Sequence, residues 1–399
     1  MTPSEPTYVD HCVPNYKRYP LTFTRGEGAH LFDASGRRWL DFLTGLGVNA
    51  LGHAHPRLVA ALRDQAGTLI HISNLYQHPL QNELATRLAE VCELDRVFFS
   101  NSGAEANETG LKMARLYQRQ RGAGERTDFL ALEKSFHGRS FGALSCTWQE
   151  SYRAPFEPLV PGVRFVPAGD VDALERALRT GRFAALIVEP IQGESGVLVM
   201  SDAYLQSARE LCDATGTLLM LDEIQSGGGR TGTFLASEAS GVRGDIVTLA
   251  KPIAGGIPIG ATLAREDVGN VLQPGTHGST FGGGALACRA GLVFLEELYD
   301  HGLLERVTEL GRALRTGLDR LVDKHAIAVS TRGRGLMQAL VLTIDSAPLA
   351  RGLLDRGLLV NAAGGNALRL LPPFVLSDAE LAQGLHCIDE QLTHAEERS

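Results

Sequence analysis

The sequence predicts an α/β protein: a large domain with a mostly parallel sheet flanked by helices, joined to a smaller α+β domain. Three observations carry this. Between about residues 95 and 265, short apolar runs alternate with amphipathic stretches such as VDALERALR and DAYLQSARELCDA. The runs are nearly continuous in hydrophobicity, as strands buried on both faces are, rather than alternating. After about residue 283 the pattern changes to long helices followed by short β-like runs, which reads as a separate α+β unit.

In chain order, the first fifty residues hold short β-like runs (AHLFDASGRRWLDF), expected beside the C-terminal domain. The strands of the large sheet are expected at RVFFS (96–100), DFLALE (128–133), VRFVP (163–167), AALIVEP (184–190), TLLMLDE (217–223), DIVTLAK (245–251) and IGATLA (259–264). A helix from about Ala285 to Tyr299 and a second over LLERVTELGRALRTGLDRLVDKH follow, then LMQALVLT, GLLVNAAG and ALRLLPP. The expected organisation is residues 1–55 packing with the small domain, 56–290 as the large domain and 291–399 as the small one.

A chain of 399 residues with 44% hydrophobic side chains can bury a large core, and its length suits two domains. The net charge of −8 argues against nucleic acid or an anionic membrane as the main partner. Six cysteines lie scattered without a CxxC pair, as in a reduced cytoplasmic protein, and the N-terminus lacks a signal-peptide pattern. No apolar run approaches the roughly 20 residues of a membrane span.

Ligands of open α/β sheets bind beyond the carboxyl ends of the strands, so what each run ends in is informative. TLLMLDE leads to Asp222 and DIVTLAK to Lys251. Either alone suits a strand meeting solvent; together, an acid and a lysine at one end of the sheet suggest a site. In FFSNSGAEANETGLKMAR a strand delivers Ser102 to a helix start, with Ser102-x-x-Glu105 as a capping box and Gly103 allowing close backbone approach. Such an N-terminus suits a phosphate. GxxxxGK[ST] and a complete GxGxxG are absent. A phosphate site, an acid and a lysine match the needs of pyridoxal phosphate: an imine to the lysine and an acid that keeps the pyridine nitrogen protonated.

LDEIQSGGGRTG followed by LAKPIAGGIPIGA resembles the signature of the class-III aminotransferases of fold type I. VNALGHAHP, LIHISNLY, FFSNSGAEANE, SFHGRSFGALS, VEPIQGESGV and HGSTFGGGALAC resemble the acetylornithine aminotransferase branch, in order along nearly the whole chain. The resemblance implies transamination of N2-acetyl-L-ornithine with 2-oxoglutarate, in arginine biosynthesis, by a pyridoxal-phosphate enzyme. It implies that Lys251 carries the cofactor and Asp222 its ring nitrogen. Ser102, Gly103 and Ala104 would lie at the phosphate, Phe136 against the ring, and Gln225 at the ring hydroxyl, with Glu223 and Ile224 beside it. Thr280 would bind the phosphate of the neighbouring subunit, making a homodimer with interfacial sites. Arg139 would take the substrate α-carboxylate, with Ser279 and Tyr16 facing substrate. Glu194 and Arg369 would form the acid–arginine pair that shields or exposes charge as amino donor and keto acid alternate. Two loop departures, Gly228 in the GxGRTG segment and GGGALAC, put loop conformation and substrate preference in question.

Within the same chemistry, ornithine, succinylornithine, N-acetyl-lysine and 4-aminobutyrate are the alternative donors. From another class, Gly138-Arg139-Ser140-Phe141-Gly142 fits the GxSxG of serine hydrolases, with His386 as a late histidine, but KSFHGR separates Ser140 from its strand. His53-Ala-His55 has no third ligand candidate nearby and HExxH is absent, so no metal is expected. A non-catalytic binding module leaves the Asp222–Lys251 pairing without a purpose.

Overall fold

The computed structural model describes residues 11–398. Three N-terminal strands, β1 (Phe23–Glu27), β2 (His30–Asp33) and β3 (Arg38–Asp41), form an antiparallel meander. The large sheet holds β4 (Arg96–Ser100), β5 (Asp128–Leu132), β6 (Val163–Val166), β7 (Phe183–Val188), β10 (Leu218–Asp222), β11 (Ile246–Leu249) and β12 (Gly260–Ala264), in the order β4-β12-β11-β10-β7-β5-β6. A short hairpin of β8 (Ile191–Gln192) and β9 (Leu198–Val199) projects after β7. The C-terminal part contributes β13 (Ala328–Arg334), β14 (Met337–Leu342), β15 (Leu358–Leu359), β16 (Asn361–Ala363) and β17 (Ala367–Leu370). There β15 pairs in parallel with β3, tying the N-terminal meander to the end of the chain.

Within the large sheet β6, β5, β7, β10 and β11 pair in parallel, and every residue of β5, β7, β10 and β11 is buried. Their near-continuous apolar sequence is the signature of strands covered by helices on both faces. The run IGATLA differs from its neighbours: β12 is antiparallel to both β11 and β4. Only a short segment separates β11 from β12, too little for a helical crossover, so the chain turns straight back. The carboxyl ends of β4, β10 and β11 therefore open on one side, where the site lies.

The helix Gly103–Gln120 packs along this sheet, with Leu111, Met113, Ala114 and Tyr117 in one core cluster with Met220 and Ile246. Each fully buried aliphatic side chain here contributes roughly 1.5–3 kcal/mol, so the helix start is firmly placed against the strand ends. Cys92, Cys146, Cys212 and Cys288 are buried thiols. Among the described residues no helix is long and apolar enough to cross a membrane.

Candidate active site

One cavity of about 440 Å³ opens beyond the strand ends, lined by Ser102, Gly103, Ala104, Phe136, Arg139, Glu189, Glu194, Asp222, Ile224, Gln225 and Lys251 among others. Its floor is built around Asp222, at the last position of β10 and 4% exposed. Asp222 Oδ2 accepts from Asn107 Nδ2 at 2.8 Å and lies 2.7 Å from His137 Nδ1; Oδ1 accepts from the Ile224 N–H at 3.1 Å. A carboxylate only accepts, so His137 Nδ1 carries the proton. Asn107 is fixed in turn, donating to His137 O at 2.7 Å and accepting from Thr248 Oγ1 at 2.8 Å. Three donors thus fix the Asp222 carboxylate in orientation at the cavity floor.

Lys251 follows β11 with φ of 43°, a left-handed conformation that a non-glycine residue adopts at a cost of about 1 kcal/mol or more. Such strain collects where a side chain must be aimed. Burial pushes the Lys251 amine below its usual range, and the negative charges of Glu194 and Asp222 only partly offset this. A larger neutral fraction makes the amine a better nucleophile.

The helix start at Gly103 forms the third wall. Ser102 Oγ accepts from the Glu105 N–H at 3.2 Å, as the capping box requires, but Glu105 does not return the bond to Ser102. Its carboxylate takes the Asn101 N–H at 2.7 Å and Asn101 Nδ2 at 2.9 Å. The N–H groups of Gly103 and Ala104, which have no intrahelical acceptor, stay available to an anion. A Cβ at Gly103 would lie 2.8 Å from Ile224, so only glycine leaves this cradle intact.

At the opposite side Arg369 of β17 is completely buried and donates to Glu194 Oε1 at 2.7 Å, to Gln225 Oε1 at 3.0 Å and to Asn361 Oδ1 at 3.1 Å. Its Nη2 has no partner. Glu194 is 37% exposed at its side chain and also accepts from Gln225 Nε2 at 3.3 Å. Burial resists ionisation of Glu194, but the Arg369 charge and hydrogen bond outweigh it and hold the acid below its usual range. The pair is therefore not a surface salt bridge: the arginine is sealed behind the glutamate.

Arg139 has no acidic partner among the described residues. Its guanidinium sits 3.6 Å from the Tyr152 ring centroid and 5.7 Å from that of Phe136. Glu108 steadies the loop by accepting from the N–H groups of Gly142 and Ala143 at 2.8 and 3.1 Å.

Four of the expected site residues stand elsewhere. Glu223 is fully buried with its carboxylate turned from the cavity, bound to Ser226 Oγ and the Ser237 N–H, because the side chain after Asp222 points to the other face. Tyr16 is 72% exposed and outside the cavity lining. Ser279 and Thr280 lie on a neighbouring loop; Ser279 Oγ accepts from Asn101 Nδ2 at 3.3 Å, at the rim, whereas Thr280 is exposed. Conversely, Glu189, Asn107, His137 and Tyr152 were not anticipated. Burial and then the charge of Asp222 push the Glu189 acid well above its usual range, and its Oε1 accepts the Phe136 N–H at 2.8 Å. AALIVEP runs into Glu189 just as TLLMLDE runs into Asp222, so the signal was present. Asn107, a polar residue on the buried face of an amphipathic helix, was also visible as an anomaly.

The rival sites do not assemble. Ser140 Oγ is buried without a partner, and His386 is exposed beside Glu390 on the last helix. His53 Nε2 is engaged by Asp41 at 2.8 Å, and no metal-binding cluster occurs among the described residues. Gly228, one of the loop departures, has φ of 64° and would place a Cβ 2.7 Å from Pro252, next to the lysine.

A strained lysine, a multiply bonded acid and a helix-start cradle at the ends of parallel strands define a group-transfer enzyme built to hold a phosphorylated aromatic aldehyde. The sequence profile of the class-III aminotransferases matches residues 12–392, and the chain belongs to that family. It is 43% identical over 384 residues to the acetylornithine aminotransferase of Caldanaerobacter subterraneus, covering 96% of this chain and 97% of that one. It is 42% identical to the acetylornithine aminotransferase of Aquifex aeolicus, covering 96% of this chain and all of the other. Among solved structures, an ornithine aminotransferase from Toxoplasma gondii superposes with a TM-score of 0.93 at 36% identity, covering 98% and 94% of the two chains. An N-acetylornithine aminotransferase from Stenotrophomonas maltophilia gives 0.85 at 35% identity, covering 96% and 98%.

Proposed function

We propose that the enzyme transfers the terminal amine of N2-acetyl-L-ornithine to 2-oxoglutarate, giving N-acetyl-L-glutamate 5-semialdehyde and L-glutamate, with pyridoxal phosphate as cofactor. When bound, pyridoxal phosphate supplies an electrophilic carbon for the amine and an electron sink for the carbon that loses its proton. Ser102, Gly103 and Ala104 would hold its phosphate, with Phe136 and Ile224 at its ring. Asp222 would serve the ring nitrogen, and Gln225 the ring hydroxyl. Lys251 Nζ would hold the cofactor covalently and, once free, would serve as the base and acid that moves a proton at the substrate carbon.

The observation that carries the substrate assignment is Arg139: a guanidinium at the cavity with no acid of its own among the described residues, held over the Tyr152 ring. A planar fork grips a carboxylate bidentately. Arg139 binds the α-carboxylate of the donor, and the Glu194–Arg369 pair opens to admit the second carboxylate of 2-oxoglutarate. A donor panel assayed against 2-oxoglutarate tests this: acetylornithine should give the highest kcat/KM. A preference for ornithine, the reading favoured by the 0.93 superposition, or for 4-aminobutyrate would overturn it.

The assembly is a homodimer. Ile70, Leu75, Tyr76 and Phe281 are each more than half exposed, beside the rim of the site. Thr280, on the same loop as Phe281, reaches the cofactor phosphate of the partner subunit. The buried thiols and the absence of a membrane-length helix among the described residues suit the cytoplasm, with the reaction serving arginine synthesis.

A further inference from the structure

The loop from Thr276 to Gly284 is exposed at its tip but tightly held at its base. Asn74 Nδ2 donates to the carbonyls of Ser279 and Gly282, one on each side of Thr280, both at 3.0 Å, and His78 Nε2 donates to Gly283 O at 2.8 Å. Before Thr280, Ser279 Oγ also accepts from Asn101 Nδ2 at 3.3 Å, and His277 adds a further side-chain anchor. Its ring stacks on Phe98 of β4 with centroids 4.9 Å apart and planes 28° apart. Nε2 lies 3.1 Å from Thr109 Oγ1, and Nδ1 lies 3.5 Å from Lys112 Nζ.

These bonds admit one arrangement of protons. Lys112 can only donate, so Nδ1 accepts and Nε2 carries the hydrogen. Nε2–H donates to Thr109 Oγ1, whose own hydrogen goes to the Glu105 carbonyl at 3.0 Å. The charged groups facing the ring are Lys112 and Glu108. Burial and then Lys112 lower the imidazole from its usual 6.5, with Glu108 opposing, so the ring is held neutral. A protonated ring would lose its acceptor and face an ammonium.

We propose that His277 is a positioning residue that locks the Thr280 loop and thereby controls how firmly the other subunit of the dimer retains its cofactor. This rests on the reading that Thr280 serves the partner's phosphate. The alternative is local: through Thr109 and Glu105, His277 touches the helix that cradles the phosphate of its own chain.

Mixed dimers separate the two. Differently tagged subunits are combined, and loss of the visible band of Lys251-bound cofactor is followed while holoenzyme is dialysed against cofactor-free buffer. The His277→Phe homodimer keeps the stack and loses the hydrogen bonds, so the band should decay roughly five- to tenfold faster than in wild type. A His277→Phe subunit paired with a Lys251→Ala subunit has one band-forming site, and that site receives an intact loop. Its decay should return to the wild-type rate. Decay as fast as in the homodimer would show that His277 acts on its own chain, and an unchanged homodimer would show that it does not position the loop; either overturns the proposal. Thr109→Val removes the acceptor while preserving shape, and should give a smaller acceleration with the same rescue; failure of the rescue counts against the proposal equally. Thr280→Val paired with Lys251→Ala is the control. If the Thr280→Val homodimer decays fast and its mixed dimer is not rescued, the cross-subunit reading itself has failed, whatever His277 does.

Discussion

The two charged ends of the cavity are built on opposite plans. At one end Asp222 is buried, takes donors from Asn107, His137 and the Ile224 N–H, and sits on the central strands of the sheet. At the other, Glu194 is 37% exposed on the projecting β8–β9 hairpin region, and Arg369 behind it keeps one donor unsatisfied. The first end can do only one thing, and does it for every substrate. The second is built so that, on the proposed reading, the glutamate would swing into solvent and uncover a buried guanidinium. Rigidity marks the part of the reaction common to both halves; incomplete satisfaction marks the part that must change between them.

Four substitutions test this contrast. The largest effect is expected at Lys251: Lys251→Ala should abolish the visible cofactor band and lower turnover by roughly ten-thousandfold. Retention of the band, with normal reduction by borohydride, would place the cofactor on another lysine. Asp222→Asn should still form the band but lose about 10²- to 10³-fold in kcat with every donor and acceptor alike. A loss confined to one substrate, measured by half-reaction kinetics, would mean that the rigid end is not shared.

Arg139→Ala belongs to the adaptable side and should be selective. Losing a charge-paired carboxylate contact costs ~2–5 kcal/mol, roughly thirty- to several-thousand-fold in kcat/KM with acetylornithine. With 1,4-diaminobutane, which lacks the carboxylate, the loss should be slight. Equal losses accompanied by a lower Tm would make the arginine structural. The smallest change is expected for Glu194→Gln. Solvent screens this half-exposed acid, so its hold on Arg369 is about 1–2 kcal/mol and the substitution should shift the ratio of kcat/KM for 2-oxoglutarate over acetylornithine roughly tenfold upward. No change in that ratio would mean that the pair does not open.

Legibility in the sequence follows the same division. Asp222 and Lys251 lie at or just beyond the ends of apolar runs, so a local pattern reveals them. The parallel strands were legible for the same reason, whereas the reversal of β12 depends on pairing with β4, some 160 residues earlier, and IGATLA looks no different from its neighbours. Arg369 and Glu194 were paired through family resemblance; composition alone does not tell a sealed arginine from a surface one. His137 escaped because its partner, Asp222, is 85 residues away. Glu105 was expected to close a capping box, but Asn101, one residue further back, competes for its carboxylate.

The position of β4 has a consequence for how a newly made chain acquires its site. It is the edge strand of the large sheet and its one ladder neighbour there is β12. Until residues 260–264 have left the ribosome, β4 has no ladder partner, although Gly103–Gln120 can already pack on Met220 and Ile246 of β10 and β11. Asp222 and Lys251 are synthesised before β12, yet the strand that leads into Ser102–Ala104, encoded far earlier, gains its ladder partner only after both. Contacts so distant along the chain form slowly, and a chain arrested before β12 would carry the lysine while β4 still lacked its ladder.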